Sequence, residues 1–110
     1  MKHERKVYEK ISDGILPEIG GKDNAIEAFH CATRLRINLK DPSKVNTDKI
    51  SQLDLVKGVN ITRNQLQIIF GAGLVDDVTS VFIQHTGIPA QSIENNSVED
   101  DKANSKEGKS

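Results

Sequence analysis

The run His30-Cys31-Ala32-Thr33-Arg34-Leu35-Arg36 concentrates the reactive side chains of this sequence. A free thiol has an ordinary pKa of about 8.5 and is only a few per cent thiolate at neutral pH. Guanidinium charge and exposed amide dipoles nearby favour the thiolate, and the thiolate is the nucleophile. The same donors would hold a dianion attached to sulfur, because the planar arginine fork matches phosphate oxygens. Cys31 falls at the junction of two predicted strands, where turn N–H groups point outward. Arg34 and Arg36 fall on one face of the second strand, and Thr33 adds a hydroxyl donor in the turn. Two readings stand at this point: a reactive cysteine cradled by donors, or a small core cysteine beside a solvated basic face.

Spacing narrows the chemistry. A phosphatase-type loop separates its cysteine and arginine by five residues, and here that position is Ile37. A Cys-x-x-Cys redox pair would need a second thiol where Arg34 stands. A cysteine hydrolase would need a histidine base. His30 points to the opposite face if the strand persists, and His85 lies at or beyond the end of the last predicted helix. With one cysteine in the sequence, an intrachain disulfide and any zinc site of two or more cysteines are ruled out.

The 110 residues fit one domain, with 35% hydrophobic and 28% charged residues. Fifteen basic and sixteen acidic side chains leave a net charge of −1. That balance, with only four aromatic residues, argues against nucleic acid as a partner. The start, Met-Lys-His-Glu-Arg-Lys, leads into no apolar signal core, and the longest nearly apolar run, Ile68 to Val75, is far shorter than the roughly 20 residues of a membrane span. The expectation is a soluble, cytoplasmic chain.

The reactive run must be positioned by the elements around it. Val7, Tyr8, Ile11, Ile15 and Ile19 predict an amphipathic first helix, which Pro17 should kink or end and Gly20-Gly21 close. A strand over Ala25 to Cys31 follows. Leu35, Ile37 and Leu39 then alternate with Arg34, Arg36, Asn38 and Lys40 in strict period two. Asp41-Pro42-Ser43 breaks that strand, and Asn46 caps a short helix with Ile50 and Leu53 inward. Val56 to Ile61 and Gln65 to Phe70 predict a hairpin around Arg63-Asn64. Leu74, Val75, Val78, Val81 and Phe82 mark a final helix. The order α-β-β-α-β-β-α predicts an α+β sandwich, a four-stranded antiparallel sheet with helices on one face. Phe29 reads as a core residue, with a shallow docking surface as the alternative. A body of this size has no room for a deep pocket, so its chemistry belongs on a surface loop. The domain is drawn at residues 1–86. Residues 87–110 contain no aromatic side chain and follow no period, which predicts a disordered linker or tail of roughly 25–30 Å root-mean-square span.

Asn24 and the run Cys31-Ala32-Thr33-Arg34-Leu35-Arg36-Ile37 resemble the phosphorylation-site signature of glucose-type enzyme IIB domains of the bacterial sugar phosphotransferase system. The likeness extends to Gly20-Gly21-Lys22-Asp23-Asn24, Leu39-Lys40-Asp41, Val56-Lys57-Gly58-Val59 and Gln65-Leu66-Gln67-Ile68-Ile69-Phe70-Gly71, covering residues 5–85. Ala25 stands where the family has a larger aliphatic residue, and Pro17 is unusual in the first helix; both touch packing. His30 before the cysteine is similar to the β-glucoside, sucrose and trehalose branch, and Val56 to Gly73 is also similar to the N-acetylmuramic acid branch.

The resemblance implies a phosphotransferase component in which Cys31 becomes a phosphocysteine, accepting phosphate from a phosphohistidine of a IIA partner. It would pass the group to a sugar held by a membrane-embedded IIC partner during transport. Arg34, Arg36 and Thr33 would bind the phosphate. No metal, nucleotide or other cofactor is implied, and the isolated domain would be a monomer. The tail would then lead to the IIC domain at the cytoplasmic face of the membrane. The rival reading is a non-catalytic regulatory or interaction domain on the same scaffold, with an inert or redox-sensing cysteine.

Overall fold

The computed structural model describes residues 3–91. Its elements run α1 (Arg5–Ile15), β1 (Ala25–Cys31), β2 (Arg34–Leu39), α2 (Thr47–Ser51), β3 (Gly58–Thr62), β4 (Gln65–Ile69) and α3 (Val75–Thr86). The predicted α+β architecture is present: a single antiparallel sheet in the order β1-β2-β4-β3, with helices on one face.

Pro17 changes the first helix as expected. The α-helix stops at Ile15 and the chain continues as a 3-10 turn over Leu16–Ile19, which tolerates Pro17 near its start. Gly20, at φ +88°, takes the left-handed conformation that closes the turn, and an added Cβ would press on Lys44. Asn46 caps α2 by accepting the Lys49 N–H at 3.1 Å. The Asp41 carboxyl is held below its ordinary pKa by the Ser43 hydroxyl and then by the Ser43 N–H, both of which donate to it.

The core lies between sheet and helices. Leu35, Ile37 and Leu39 of β2, Leu66 and Ile68 of β4, Ile11 and Ile15 of α1, and Val78 and Phe82 of α3 are all buried. These apolar side chains bury surface worth roughly 1.5–3 kcal/mol each. Helices α1 and α3 pack together and α3 crosses β1 and β2. Two side-chain ties hold the helix pair, His85 Nε2 to Asp13 Oδ1 at 2.9 Å and Arg5 Nη1 to Gln84 Oε1 at 2.9 Å.

Strand β1 departs from simple alternation. The register slips between Ala25 and Glu27, so Ile26 bulges out and is 48% exposed while Ala25 and Ala28 both face the helices. Beyond the bulge, Phe29 pairs with Arg36 on the open face and is half-buried, outside the core. The core reading of Phe29 is therefore corrected: Ala28 occupies the inward position next to it, and the pleat turns Phe29 the other way.

The ordered fold also continues past residue 86. Gly87 closes α3 at φ +79°, and Ile88 is fully buried in the core. Residues 89–91 run parallel to β1: Ala28 N–H donates to the Pro89 carbonyl at 2.9 Å and Gln91 N–H to the Ala28 carbonyl at 3.0 Å. Residues 87–91 thus pack with the body drawn at residues 1–86, and this short segment covers an otherwise open sheet edge. Composition missed it since one buried apolar side chain and two backbone bonds suffice. Residues 92–110, most of the predicted tail, lie outside the described residues. Ile88→Ala should lower unfolding free energy by about 2–4 kcal/mol, read as a reduced urea midpoint at unchanged slope. A loss below about 0.5 kcal/mol would show that the segment contributes nothing to the core.

Candidate functional site

The β1–β2 hairpin turns in two residues, Ala32 and Thr33. Ala32 lies at φ +42°, in the left-handed region that costs an L-residue about 1–2 kcal/mol. Such a conformation at an exposed tip marks a backbone held for its geometry. Thr33 is half-buried, and its carbonyl accepts the Phe70 N–H at 2.8 Å, which ties the tip to the end of β4. The turn makes Cys31 and Arg34 direct cross-strand partners on the open face, where opposed Cβ atoms sit about 4.5–5.5 Å apart. The Cys31 thiol is free and exposed, so the core-cysteine reading is set aside.

His30 takes the other face. It pairs with inward-facing Leu35, and its Nε2 lies 3.4 Å from Asp76 Oδ1 in the first turn of α3. The expected separation of His30 from the sulfur's face follows from the pleat.

The arginines occupy the open face with a row of amides. Arg34 Nη1 donates to Gln67 Oε1 at 2.7 Å, and Arg36 Nη1 donates to Gln65 Oε1 at 2.9 Å. Gln67 pairs in register with Arg36, and Gln65 with Asn38. Each guanidinium therefore reaches one residue pair further from Cys31 than its own backbone. Gln67 Nε2 donates to Gln65 Oε1, Gln65 Nε2 to Asn38 Oδ1, and Asn38 Nδ2 to Glu27 Oε2. Among the described residues neither arginine has a carboxylate within ion-pairing distance. Arg36 Nε is buried without a partner there. Cys31, Thr33 and Arg34 thus gather at one corner, and Arg36 stands one pair away with its head turned along the sheet.

A family model described as phosphotransferase system, EIIB, matches residues 13–46, which contain this hairpin. A solved structure from Clostridium difficile, one domain of a IIabc component of that system, superposes with a TM-score of 0.73 at 39% identity. The overlap covers 82% of this chain and 93% of that one. The chain belongs to the EIIB family of the phosphotransferase system. Among curated relatives, this EIIB chain is 46% identical over 85 residues to the sucrose-specific EIIBC component of Klebsiella pneumoniae. It is 42% identical over 74 residues to the trehalose-specific EIIBC component of Bacillus subtilis, and 40% identical over 81 residues to the beta-glucoside-specific EIIBCA component of the same organism. These matches take 77%, 67% and 74% of the chain but only 19%, 16% and 13% of the relatives, so the chain spans about one fifth or less of their length. No helix among the described residues of this EIIB chain is long and apolar enough to cross a membrane.

Sequence reasoning missed Gln65, Gln67 and Asn38 as neighbours of the site. A signal existed in the period-two amides of Gln65-Leu66-Gln67, but their opposition to the arginines depends on β2 pairing with β4, a contact across the chain. Asn24, read only through the resemblance, has a structural place. It is buried, donates from Nδ2 to the Ile19 and Asp41 carbonyls at 2.8 Å each, and accepts the Asp41 N–H at 2.9 Å.

Proposed function

We propose that this EIIB domain carries a phosphoryl group on Cys31 between a IIA partner and a sugar bound in a membrane IIC partner. In the first transfer the Cys31 thiolate forms the S–P bond as the P–N bond of a IIA phosphohistidine breaks; the ring carries a proton on its other nitrogen, so neutral imidazole is left. In the second the S–P bond breaks as a sugar hydroxyl takes the phosphoryl group, its proton passing to a base of the IIC partner or to water, and the thiolate is restored. Arg34 and Arg36 stabilise charge on the transferring group, while Thr33 and the turn N–H groups complete the cradle. Phosphoryl transfer asks mainly for positioning and charge stabilisation, which fits a site with little else to offer.

The observation that carries this reading is the exposed Cys31 thiol paired in register across the hairpin with Arg34, with Arg36 one pair further along and neither arginine ion-paired to a carboxylate among the described residues. The sugar is proposed to be a glucoside of the kind named for the relatives: sucrose, trehalose or a β-glucoside. The EIIBC names of the relatives support a IIC partner, and with it we propose a place at the cytoplasmic face of the membrane.

Incubation with phosphoenolpyruvate, the upstream phosphocarriers and a IIA protein tests the reading. One phosphate should appear on Cys31 by mass, with the phosphorus resonance of a thiophosphate ester; an unmodified Cys31 under conditions that charge IIA overturns it. Arg34→Lys and Arg36→Lys should each slow transfer about tenfold or more, because an ammonium ion cannot reproduce the fork's two-point grip. Wild-type rates in both variants would assign the arginines another purpose.

A further inference from the structure

We infer that Gln67 and Gln65 are positioning residues for the transfer just proposed, on which this inference rests: they dock Arg34 and Arg36 without discharging them. A bidentate ion pair with a carboxylate would both fix an arginine and neutralise it. Here each guanidinium is fixed by an amide oxygen instead, at 2.7 Å and 2.9 Å. A neutral acceptor orients the fork along the sheet, leaves its positive charge uncancelled, and releases it readily when a dianion arrives on the adjoining strand's sulfur. Gln67 is only 7% exposed although it lies on the face away from the core, so its amide is held in place. Its Nε2 is committed to Gln65 Oε1, which turns the remaining Oε1 toward Arg34.

The network also keeps its one acid at a distance. Glu27 lies on this face and could neutralise a neighbouring arginine. Its Oε2 instead accepts from Asn38 Nδ2 at 2.6 Å and from Gln91 Nε2 at 3.2 Å. Asn38 and Gln65 stand between that carboxylate and Arg36. The row reads Glu27, Asn38, Gln65, Gln67, Arg34 toward the hairpin tip, with Arg36 also bonded to Gln65. The row thus carries its carboxylate at the end remote from the hairpin tip and Arg34 at the other.

The decisive variant is Gln67→Glu, which preserves shape and places a carboxylate against Arg34 Nη1. Transfer through Cys31 should fall about tenfold or more, mostly in kcat, while the ion pair gained with Arg34 offsets the hydrogen bond that Gln67 Nε2 now gives to Gln65 Oε1. A second readout needs no partner protein. Alkylation of Cys31 by anionic iodoacetate is compared with alkylation by neutral iodoacetamide, and the rate ratio reports positive charge presented to the sulfur. Gln67→Glu should lower that ratio several-fold. Asn60→Asp should leave it nearly unchanged, since Asn60 is the exposed cross-strand partner of Gln67 on β3 and touches neither arginine. An unchanged ratio in Gln67→Glu, or an equal fall in Asn60→Asp, overturns the dock. Failure of the wild-type protein to take phosphate on Cys31 would instead count against the carrier reading, and the alkylation comparison would still decide the dock.

Discussion

Cys31→Ser is expected to abolish sugar phosphorylation while leaving the fold untouched. The side chain is exposed and contributes nothing to the core, so isosteric replacement has no packing cost. The chemistry changes completely. A serine hydroxyl is almost wholly protonated at neutral pH, so it is a poor acceptor of the phosphoryl group from phosphohistidine. Any phosphoserine formed would be a stable ester with a poor leaving group, useless for onward transfer. Circular dichroism and the urea midpoint should match the wild type, and the phosphoenolpyruvate-dependent sugar phosphorylation rate should drop to background. Sugar phosphorylation by the variant at the wild-type rate would remove Cys31 from the transfer pathway.

The largest expected stability effect lies on Asn24, outside the reactive corner. Its side chain joins the end of the first helical turn, the start of β1 and the exit from β2 through three hydrogen bonds. Its backbone adds a fourth link, accepting the Lys40 N–H at 2.9 Å. Asn24→Ala would strand the Ile19 and Asp41 carbonyls and the Asp41 N–H in a buried place. Each buried group left unpaired costs about 1–3 kcal/mol, and some rehydration will recover part, so a loss of about 2–4 kcal/mol is expected. For a small domain that is a large fraction of total stability.

Asn24→Asp should be worse at neutral pH, since a carboxylate oxygen would face two carbonyls where an NH₂ group now donates. Burial against carbonyls raises the pKa of the introduced carboxyl above its unfolded value. The neutral, donating form is then favoured in the fold, and this variant should lose stability as pH rises from 4 to 7. Urea midpoints at the two pH values decide it; an Asn24→Ala midpoint equal to the wild type would show the clamp to be idle.

Elements were legible in the sequence wherever one local period governed them. Leu35, Ile37 and Leu39 repeat every second residue and face inward in β2. The spacing of Val75, Val78 and Phe82 marks the buried stripe of α3. Asn46 and Gly20 act where capping and left-handed geometry require their types. The same locality made the corner of Cys31, Thr33 and Arg34 readable, because a two-residue hairpin turn sets their relation within four positions. Where period two was interrupted, reading along the chain failed. The Ile26 bulge shifts the phase of β1, so the facing of Phe29 depends on pairing with β2.

The amino-acid order alone determined the strands and helices, the face that β2 and the long helices present to the core, and the juxtaposition of one thiol with arginine. Tertiary structure decided that β4 lies beside β2, which puts Gln65 and Gln67 under the arginines. It also decided that residues 89–91 seal the outer edge of β1. The division has a physical cause. Periodicity and turn chemistry act between residues a few positions apart, whereas strand order and edge pairing are settled by which arrangement buries most apolar surface and satisfies most backbone groups across the whole chain.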